Sequence, residues 1–169
     1  IFMDKTLSFN ELDIASRQFA SYLQGLGLAK GARVAVMMPN VLQYPVVALG
    51  VFRAGLVLVN VNPLYTAREL EHQLNDSGAE GLVIIENFAS VYQSIIGKTP
   101  VKHVVVASVG DMLGTLKGTL VNFVLRKVRK QIPAWNIPGH VTFNAAMSKA
   151  NSSNYKRPSI SLSDTAVLQ

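Results

Sequence analysis

Residues 52–65 read FRAGLVLVNVNPLY, and no other segment of the chain says as much about its structure. The apolar start predicts the end of a buried helix, and Gly55 supplies the turn that follows it. Residues 57–61 predict a buried strand, which leaves through a polar turn containing proline. Thr66 and Glu69 then form a capping box, in which each side chain accepts a hydrogen bond from the other residue's backbone N–H. The segment therefore predicts helix, strand and helix in direct succession.

The same alternation continues on both sides of this segment. Toward the N-terminus we predict half of a hairpin around Asp4-Lys5, whose earlier partner strands are missing, and a helix opened by the capping box Ser8–Glu11 and ended by Gly25 and Gly27. A strand at 33–38 follows, and then a helix capped by Pro39-Asn40 that runs to about Ala54. Toward the C-terminus we predict a helix at 67–77, a strand at 82–85, a helix at 88–96 and a strand at 103–107. This spacing predicts an α/β fold with a mostly parallel sheet and helices on both faces.

The alternation stops after Ser108. The remaining predicted elements are a loop at 110–118, a basic amphipathic helix at 119–132, a short helix at 144–149, a polar linker at 151–154 and the start of a strand at 164–169. We therefore divide the chain into an α/β core at 1–108, a basic helical insertion with its linker at 109–157, and the beginning of a strand at 158–169.

The composition is that of a globular domain, with 49% apolar and 15% charged residues. The absence of cysteine excludes a disulfide framework, a thiolate metal site and a cysteine nucleophile, and it fits a reducing compartment. We therefore expect a cytoplasmic protein. The net charge of +6 is concentrated in residues 101–169, which hold nine Lys or Arg against Asp111 and Asp164. A basic surface in this part of the chain needs a local explanation.

Residues 41–59 form the one apolar run that is long enough to be mistaken for a membrane span. Polar residues and glycines interrupt it, and Arg53 alone would cost about 2.5–3.5 kcal/mol in the centre of a bilayer. A buried helix that leads into a buried strand explains the same residues without that cost. The first residues, Ile1–Lys5, lack the basic start and apolar run of a secretory signal.

Two motifs imitate binding sites. Residues 25–31 read GLGLAKG, but these glycines follow a helix and precede a strand, whereas phosphate-binding glycines follow a strand and open a helix. His72 and Asp76 lie four residues apart on a predicted helix, without the convergent His or Cys ligands of a catalytic zinc site. We interpret the first motif as a helix end and the second as a solvated helix face. Neither motif is therefore assigned a catalytic, cofactor-binding or metal-binding role.

Asn60, Asn62 and Tyr65 end a central strand, at the edge where open α/β sheets place their ligands. The alternative is structural: the two Asn side chains satisfy turn backbone groups, while Pro63 fixes the direction in which the chain leaves. We favour the structural interpretation, and we treat Gly55, Asn60, Asn62, Pro63 and Tyr65 as one structural motif.

The predicted helix at 119–132 has one apolar side and a cluster of cations. The cations are Arg126, Lys127, Arg129 and Lys130. Such a helix packs its apolar side on the domain, or it forms a surface for a membrane or a partner, with about 1 kcal/mol per basic residue at anionic lipids. Nucleic acid is a third alternative, but aromatic residues are not interleaved with the charges. We take the four cations as a candidate membrane or partner surface and expect no nucleic acid.

Residues 52–65 resemble the second core motif of the adenylate-forming acyl-activating enzymes, and LSFNEL at 7–12 is similar to the first. Within that superfamily, MPNVLQYP at 38–45, RELEHQLNDSG at 68–78 and KGTLVNF at 117–123 resemble the bacterial long-chain fatty-acid–CoA ligases. The likeness extends over essentially the whole chain. It implies an N-terminal fragment that forms the first part of the large domain of such an enzyme.

The resemblance implies that the parent enzyme uses ATP and Mg²⁺ to form an acyl-adenylate from a fatty acid and then transfers the acyl group to CoA. In this family the phosphate loop, the nucleotide contacts, the catalytic Lys and the CoA site come later in the chain, so we expect the fragment to be inactive and to bind none of these ligands.

Two alternatives remain. One is another acyl activator, such as an aryl-CoA ligase or a luciferase-like enzyme. The other is a non-enzymatic, flavodoxin-like module that binds a membrane or a partner. We also expect self-association through exposed apolar surface and the open edge near 164–169, and peripheral binding at the inner face of the cell membrane.

Overall fold

The computed structural model describes residues 1–169 and contains a single sheet of six strands. The strands are β1 Arg33–Met37, β2 Val57–Asn60, β3 Gly81–Ile85, β4 His103–Ala107, β5 Val141–Thr142 and β6 Val167–Leu168. The helices are α1 Phe9–Gln24, α2 Gln43–Arg53, α3 Ala67–Ser77, α4 Ala89–Gln93, α5 Thr115–Phe123 and α6 Phe143–Lys149. Short 3₁₀ turns cover Glu86–Phe88 and Ser152–Asn154, and a π turn covers Val124–Val128.

The strand order is β5-β4-β3-β1-β2-β6, and every neighbouring pair is parallel. The predicted parallel sheet is therefore confirmed. The chain moves from β1 to β2 in one direction and then crosses back to place β3 on the other side of β1. The boundary between β1 and β3 is thus the topological switch point, where open α/β sheets form a crevice at their carboxyl edge.

Two separate cores sandwich the sheet, as expected when helices cover both of its faces. Successive strand residues point to opposite faces, so Val34 and Val36 of β1 join one core while Ala35 and Met37 join the other. The first core includes buried residues of α1, α2 and α6, and the second includes those of α3 and α4. This two-sided burial explains why the strands are continuously apolar.

Both predicted capping boxes are present. Glu11 N–H donates to Ser8 Oγ over 3.2 Å, and Ser8 N–H donates to the Glu11 carboxylate over 2.8 Å. Thr66 and Glu69 form the same pair of bonds at the start of α3. The hydrogen bonds that the backbone N–H groups of Ser8 and Thr66 donate are the main reason why the pKa of Glu11 and of Glu69 lies below the ordinary value. The hydroxyls of Ser8 and Thr66 lower the pKa further. The bounds predicted for α3 and β4 are reproduced residue for residue.

The predicted cap at Pro39-Asn40 is wrong. Val41 N–H bonds back to the Pro39 carbonyl over 2.8 Å, a tight three-residue turn that delays the helix. Helix α2 therefore begins at Gln43, with Leu42 as N-cap and no side-chain cap bond. The residues that imitate a membrane span form α2 and β2 instead, and no helix is both long and apolar enough to cross a bilayer.

The region after Ser108 departs most from the predictions. The predicted loop over 110–118 gives way to α5 from Thr115, and the predicted helix to Ile132 ends early. A π turn follows Phe123, and Lys130 takes a left-handed conformation with φ 50° that stops the helix. Strand β5, only two residues long, was not predicted, whereas the short helix near 144–149 is confirmed as α6. The predicted helix at 88–96 is shorter than expected, because only 89–93 are α-helical.

Candidate functional site

Polar side chains collect at the carboxyl edge of the sheet, beyond the ends of four neighbouring strands. Gln43 follows β1, Asn60 ends β2, Glu86 follows β3, and Ser108 follows β4. This is the edge at which parallel α/β sheets bind their ligands. Two separate arrangements occupy it: the turn after β2, and a buried cluster beyond β3 and β4.

Asn60 ties the end of β2 to the helices on both faces of the sheet. Its side-chain Oδ1 accepts a hydrogen bond of 2.8 Å from the Tyr44 hydroxyl of α2. Its backbone carbonyl accepts another, also 2.8 Å, from Gln73 Nε2 of α3. The side chain of Asn60 is therefore bonded to α2, whereas the structural interpretation predicted a bond to the backbone of the turn. The last residue of β2 is held from above and below, which fixes the point at which the turn begins.

The rest of the turn is held by its own backbone. Asn62 Oδ1 accepts from Leu64 N–H over 3.0 Å, and the Asn62 carbonyl accepts from Tyr65 N–H over 3.1 Å. Tyr65 is half-buried and packs against the second core. Pro63 lies between these bonded residues, at the bend. These contacts are the ones that the structural interpretation predicts for Asn62.

Gly55, the fifth residue of the predicted motif, lies at the other edge of the sheet, before β2 begins. Its backbone is left-handed with φ 76°, and a Cβ atom there would lie 3.0 Å from the Pro158 ring. Gly55 is thus required by the turn between α2 and β2 and by close contact with residue 158. The five residues lie at the two ends of β2, so they do not converge on one site.

The buried cluster is named for Gln43 and Glu86, which are buried; Ser108 and Asp111 are partly buried, and Arg126 joins them from the surface with its side chain 46% exposed. Glu86 is 2% exposed, and its Oε2 accepts hydrogen bonds from Arg126 Nε at 2.9 Å and Nη2 at 2.8 Å. Arg126 Nη2 also donates to Ser108 Oγ over 3.0 Å, and Gln43 Nε2 donates to the Ser108 carbonyl over 2.8 Å. The cluster joins the π turn after α5 to the switch-point edge of the sheet.

Asp111 completes the cluster from the loop after β4. Its Oδ2 accepts from Ser108 N–H over 2.7 Å, and its Oδ1 accepts from Asn144 Nδ2 over 3.1 Å. Burial, reinforced by the Glu86 carboxylate, raises the pKa of Asp111 to about 6, although the hydrogen bonds and Arg126 oppose the shift. Neither Glu86 nor Asp111 was predicted from the sequence to belong to a site. The available signal was a glutamate placed directly after the buried run of β3.

The four predicted surface cations do not act alike. The Arg126 guanidinium turns inward to Glu86, so it is committed to the cluster. Lys127, Arg129 and Lys130 are exposed and form no salt bridge. Lys117, which was not among the four, approaches the Asp4 carboxylate at 3.7 Å and donates to the Met3 carbonyl. The free positive charge of this region therefore comes from three of the predicted residues.

The other candidate motifs contain no binding geometry. Gly25 caps α1, and Gly27 and Gly31 adopt left-handed turns before β1, so residues 25–31 are a helix end. His72 is exposed on α3. No three His, Cys, Asp or Glu side chains lie close enough together to hold a metal ion.

The family model described as AMP-binding enzyme matches residues 1–169. A curated relative, the long-chain-fatty-acid–CoA ligase of Escherichia coli O157:H7, is 50% identical over 168 residues. The match covers 99% of this chain and 30% of that protein, so the chain spans less than a third of the relative's length.

Solved structures share the fold. An anthranilate CoA ligase in complex with anthranoyl-AMP superimposes with a TM-score of 0.76 and 19% identity, covering 98% of this chain and 27% of that chain. A long-chain-fatty-acid-CoA ligase from Archaeoglobus fulgidus gives a TM-score of 0.68 and 23% identity, covering 98% and 29%. At these identities the likeness concerns the fold alone.

Proposed function

The chain belongs to the family of AMP-binding enzymes, and on that basis we propose that it forms part of a long-chain fatty-acid–CoA ligase. The observation that carries the proposal is the 50% identity to a relative of that name over 99% of this chain. In the proposed reaction, the fatty-acid carboxylate attacks the α-phosphorus of ATP, and diphosphate leaves. The sulfur of CoA then attacks the acyl carbon, and AMP leaves as the thioester forms.

The proposed role of residues 1–169 is to build one wall of the active-site edge. Asn60, Tyr44 and Gln73 hold the turn after β2, and the buried cluster holds the edge beyond β3 and β4. By resemblance, the phosphate loop follows Gln169. Strand β6 runs parallel to β2 with Leu168 opposite Val59, so it would deliver that loop beside the same turn. We assign no catalytic residue to this chain and derive no step through Mg²⁺.

The test is an activity assay on the longer protein that contains this chain. ATP-dependent formation of acyl-CoA would be measured with palmitate and, in parallel, with 4-coumarate. Strong preference for palmitate supports the proposal, whereas preference for 4-coumarate supports the alternative of an aryl-CoA ligase. If the reading frame ends at Gln169 and neither acid reacts, the non-enzymatic module is the better hypothesis.

A binding experiment on residues 1–169 alone tests whether this part of the parent enzyme binds ATP without the proposed phosphate loop. Because the proposed phosphate loop is not among these residues, isothermal titration with Mg-ATP should detect no micromolar binding. Micromolar binding would overturn this point and direct attention to the turn Asn60–Tyr65.

We also propose that the parent enzyme is cytoplasmic and binds peripherally to anionic membranes through Lys127, Arg129 and Lys130. Each basic residue at the surface contributes about 1 kcal/mol, and salt screens that contribution. Vesicle co-sedimentation should show weak, salt-sensitive binding that is lost when Lys127, Arg129 and Lys130 are replaced by Gln.

Self-association is the remaining proposal. β6 forms an edge of the sheet, with Val167 and Leu168 partly exposed, so its outer backbone groups are available for pairing. Sedimentation of the 169-residue chain should detect dimers or larger species at tens of micromolar protein. A clean monomer would contradict this expectation.

A further inference from the structure

Helix α5 and the π turn after it expose a row of large apolar side chains to solvent. The exposed fractions are 88% for Leu116, 62% for Leu120, 56% for Phe123 and 65% for Val128. We call these four residues the outer ridge. An amphipathic helix on a globular domain normally turns such a row toward the core. Here the row points away from it, and no other part of the chain covers it.

The opposite side of the helix is fixed to the domain by small and polar residues. Gly118 packs so closely against Gly110 that a Cβ atom on either residue would collide with the backbone of the other. Asn122 Oδ1 accepts from Gly110 N–H over 2.8 Å. The guanidinium of Arg126 reaches inward to Glu86. Rotating the helix to bury the outer ridge would break all three contacts, so the exposure is built into the packing.

The π turn extends the ridge. Arg129 N–H bonds to the carbonyl of Val124, five residues earlier, over 2.8 Å. This wider turn contains one residue more than an α-helical turn. Each later residue therefore lies where the residue before it would lie in an uninterrupted α-helix. Val128 thereby takes the place that Lys127 would occupy in line with Leu120 and Leu116. Thus the π turn places an apolar residue on the ridge and a cation beside it.

The free charge beside the ridge is positive. Lys127, Arg129 and Lys130 are exposed and form no salt bridge, whereas Lys117 approaches the Asp4 carboxylate at 3.7 Å. A second copy of the chain would place these cations against each other in a twofold contact, which is unfavourable. An anionic lipid surface complements both features, because its headgroups attract the cations and its acyl region accepts the ridge.

We infer that the outer ridge inserts into the boundary between headgroups and acyl chains of an anionic bilayer, with the flanking cations on the headgroups. This rests on the proposed peripheral binding and adds an inserted apolar element to it. Helices of this kind bury their apolar face about 5–10 Å deep at that boundary. Arg126 takes no part in lipid binding, because it is the inward anchor. A lipid-bound ridge would hold the ligase at the phase in which its proposed substrate dissolves.

The test uses the full-length protein and vesicles of phosphatidylcholine with 30% phosphatidylglycerol, compared with pure phosphatidylcholine. The ridge variant combines Leu116→Ser, Leu120→Ser and Phe123→Ser. The cation variant combines Lys127→Gln, Arg129→Gln and Lys130→Gln. A matched control, Phe9→Ser with Ile14→Ser, removes two exposed apolar side chains from α1. Urea unfolding of each variant verifies that the fold is retained, as expected for exposed positions.

We expect the ridge variant to lose at least tenfold in affinity for anionic vesicles, and the α1 control to bind like the parent protein. The cation variant should also lose affinity, with a flatter dependence on salt. If the cation variant loses affinity and the ridge variant does not, electrostatic binding stands and insertion is overturned. If neither loses affinity, both proposals fail. If the ridge variant only changes a dimer into a monomer, the ridge is a contact between copies and the inference is wrong.

Discussion

Helices α1 and α5 are both amphipathic, but only α1 turns its apolar side toward the sheet. Phe19 of α1 is fully buried and lies with its ring centroid 5.9 Å from that of Phe143. Phe123 of α5 is 56% exposed, and the inner side of its helix is formed by Gly118, Asn122 and Arg126. Side-chain burial orients α1, whereas close backbone contact and polar bonds orient α5. An amphipathic pattern therefore places the apolar side toward the core in α1 and toward solvent in α5.

The largest expected effect contrasts the two phenylalanines directly. Phe19→Ala leaves a cavity in the first core and should lower the free energy of unfolding by about 3–5 kcal/mol. Phe123→Ala removes an exposed side chain and should change it by less than about 0.5 kcal/mol. Urea unfolding measures both. If Phe19→Ala does not fold, Phe19→Leu serves instead, with a smaller loss. Equal losses at the two positions would mean that α5 also depends on apolar burial.

The second prediction removes the inward anchor of α5. Arg126→Met leaves the Glu86 carboxylate buried without its partner, which should cost about 2–4 kcal/mol, less than for a fully buried pair because Arg126 is half-exposed. The double variant with Glu86→Gln should recover part of this loss. Lys127→Met on the same helix is the control and should stay within about 0.5 kcal/mol. If Arg126→Met and Lys127→Met behave alike, the pair does not orient the helix.

These contrasts also explain how far the sequence predicted the structure. The α/β core was predictable because two local rules agree there: capping boxes set the helix starts, and burial on both faces makes the strands continuously apolar. The start of α2 was mispredicted because the Pro39–Val41 turn delays the helix. Strand β5 was missed because two residues give no periodicity, and its place is set by pairing with β4.

The arrangement after Ser108 could not be obtained from spacing alone. The residue pairs that decide it, Glu86 with Arg126 and Gly110 with Gly118, are brought together by tertiary contacts. Helical periodicity identifies an apolar side of α5, but it does not say what that side contacts. The turn after β2 was easier, because Asn62 bonds to its own local backbone. The side-chain bond of Asn60 to Tyr44 depends on how α2 packs, and it was not foreseen.

The third prediction tests the backbone contact under α5. Gly118→Ala places a methyl group against the Gly110 carbonyl, so the helix must shift, at a cost of about 1–3 kcal/mol. An ordinary exposed glycine in a helix would show the opposite sign, because alanine is the better helix former by about 1 kcal/mol. Thr119→Ala, on the exposed neighbouring position, is the control for urea unfolding. Stabilisation by Gly118→Ala would refute the close packing.

The fourth prediction concerns pH. The pKa of Asp111 is raised to about 6 by burial, above an ordinary value of 3.8, so the folded state binds the proton more tightly than the unfolded chain does. The contribution of this residue to stability therefore falls as the pH rises from about 4 to about 6, and stays lost above that. A shift of this size corresponds to roughly 3 kcal/mol, and partial exposure reduces it to about 1–2 kcal/mol.

Asp111→Asn keeps an acceptor for Ser108 N–H and removes the charge, so it should stabilise the protein at pH 7 and flatten this part of the pH profile. Glu11, Glu69, Glu80 and Asp164 have lowered pKa values and contribute slopes of opposite sign, so the difference between variant and parent is the informative quantity. Asp76→Asn on the surface controls for the loss of one negative charge. An unchanged profile in Asp111→Asn would show that this carboxylate is not strained by burial.

The smallest effect is expected at the end of the π turn. Lys130 adopts φ 50°, and Gln131 N–H bonds back to the Leu125 carbonyl over 3.0 Å, an arrangement that usually places glycine at the left-handed position. Lys130→Gly removes a left-handed strain of about 1–2 kcal/mol and costs roughly 0.5–1 kcal/mol in unfolded-chain flexibility, so it should stabilise the protein by up to about 1 kcal/mol. Lys130→Ala retains a Cβ atom and should not stabilise. Both variants remove the same cation and should weaken vesicle binding equally. If Lys130→Gly and Lys130→Ala differ in stability but bind vesicles equally, the left-handed conformation matters for the helix end and not for lipid binding. If the two variants differ in vesicle affinity, that conformation also affects lipid binding.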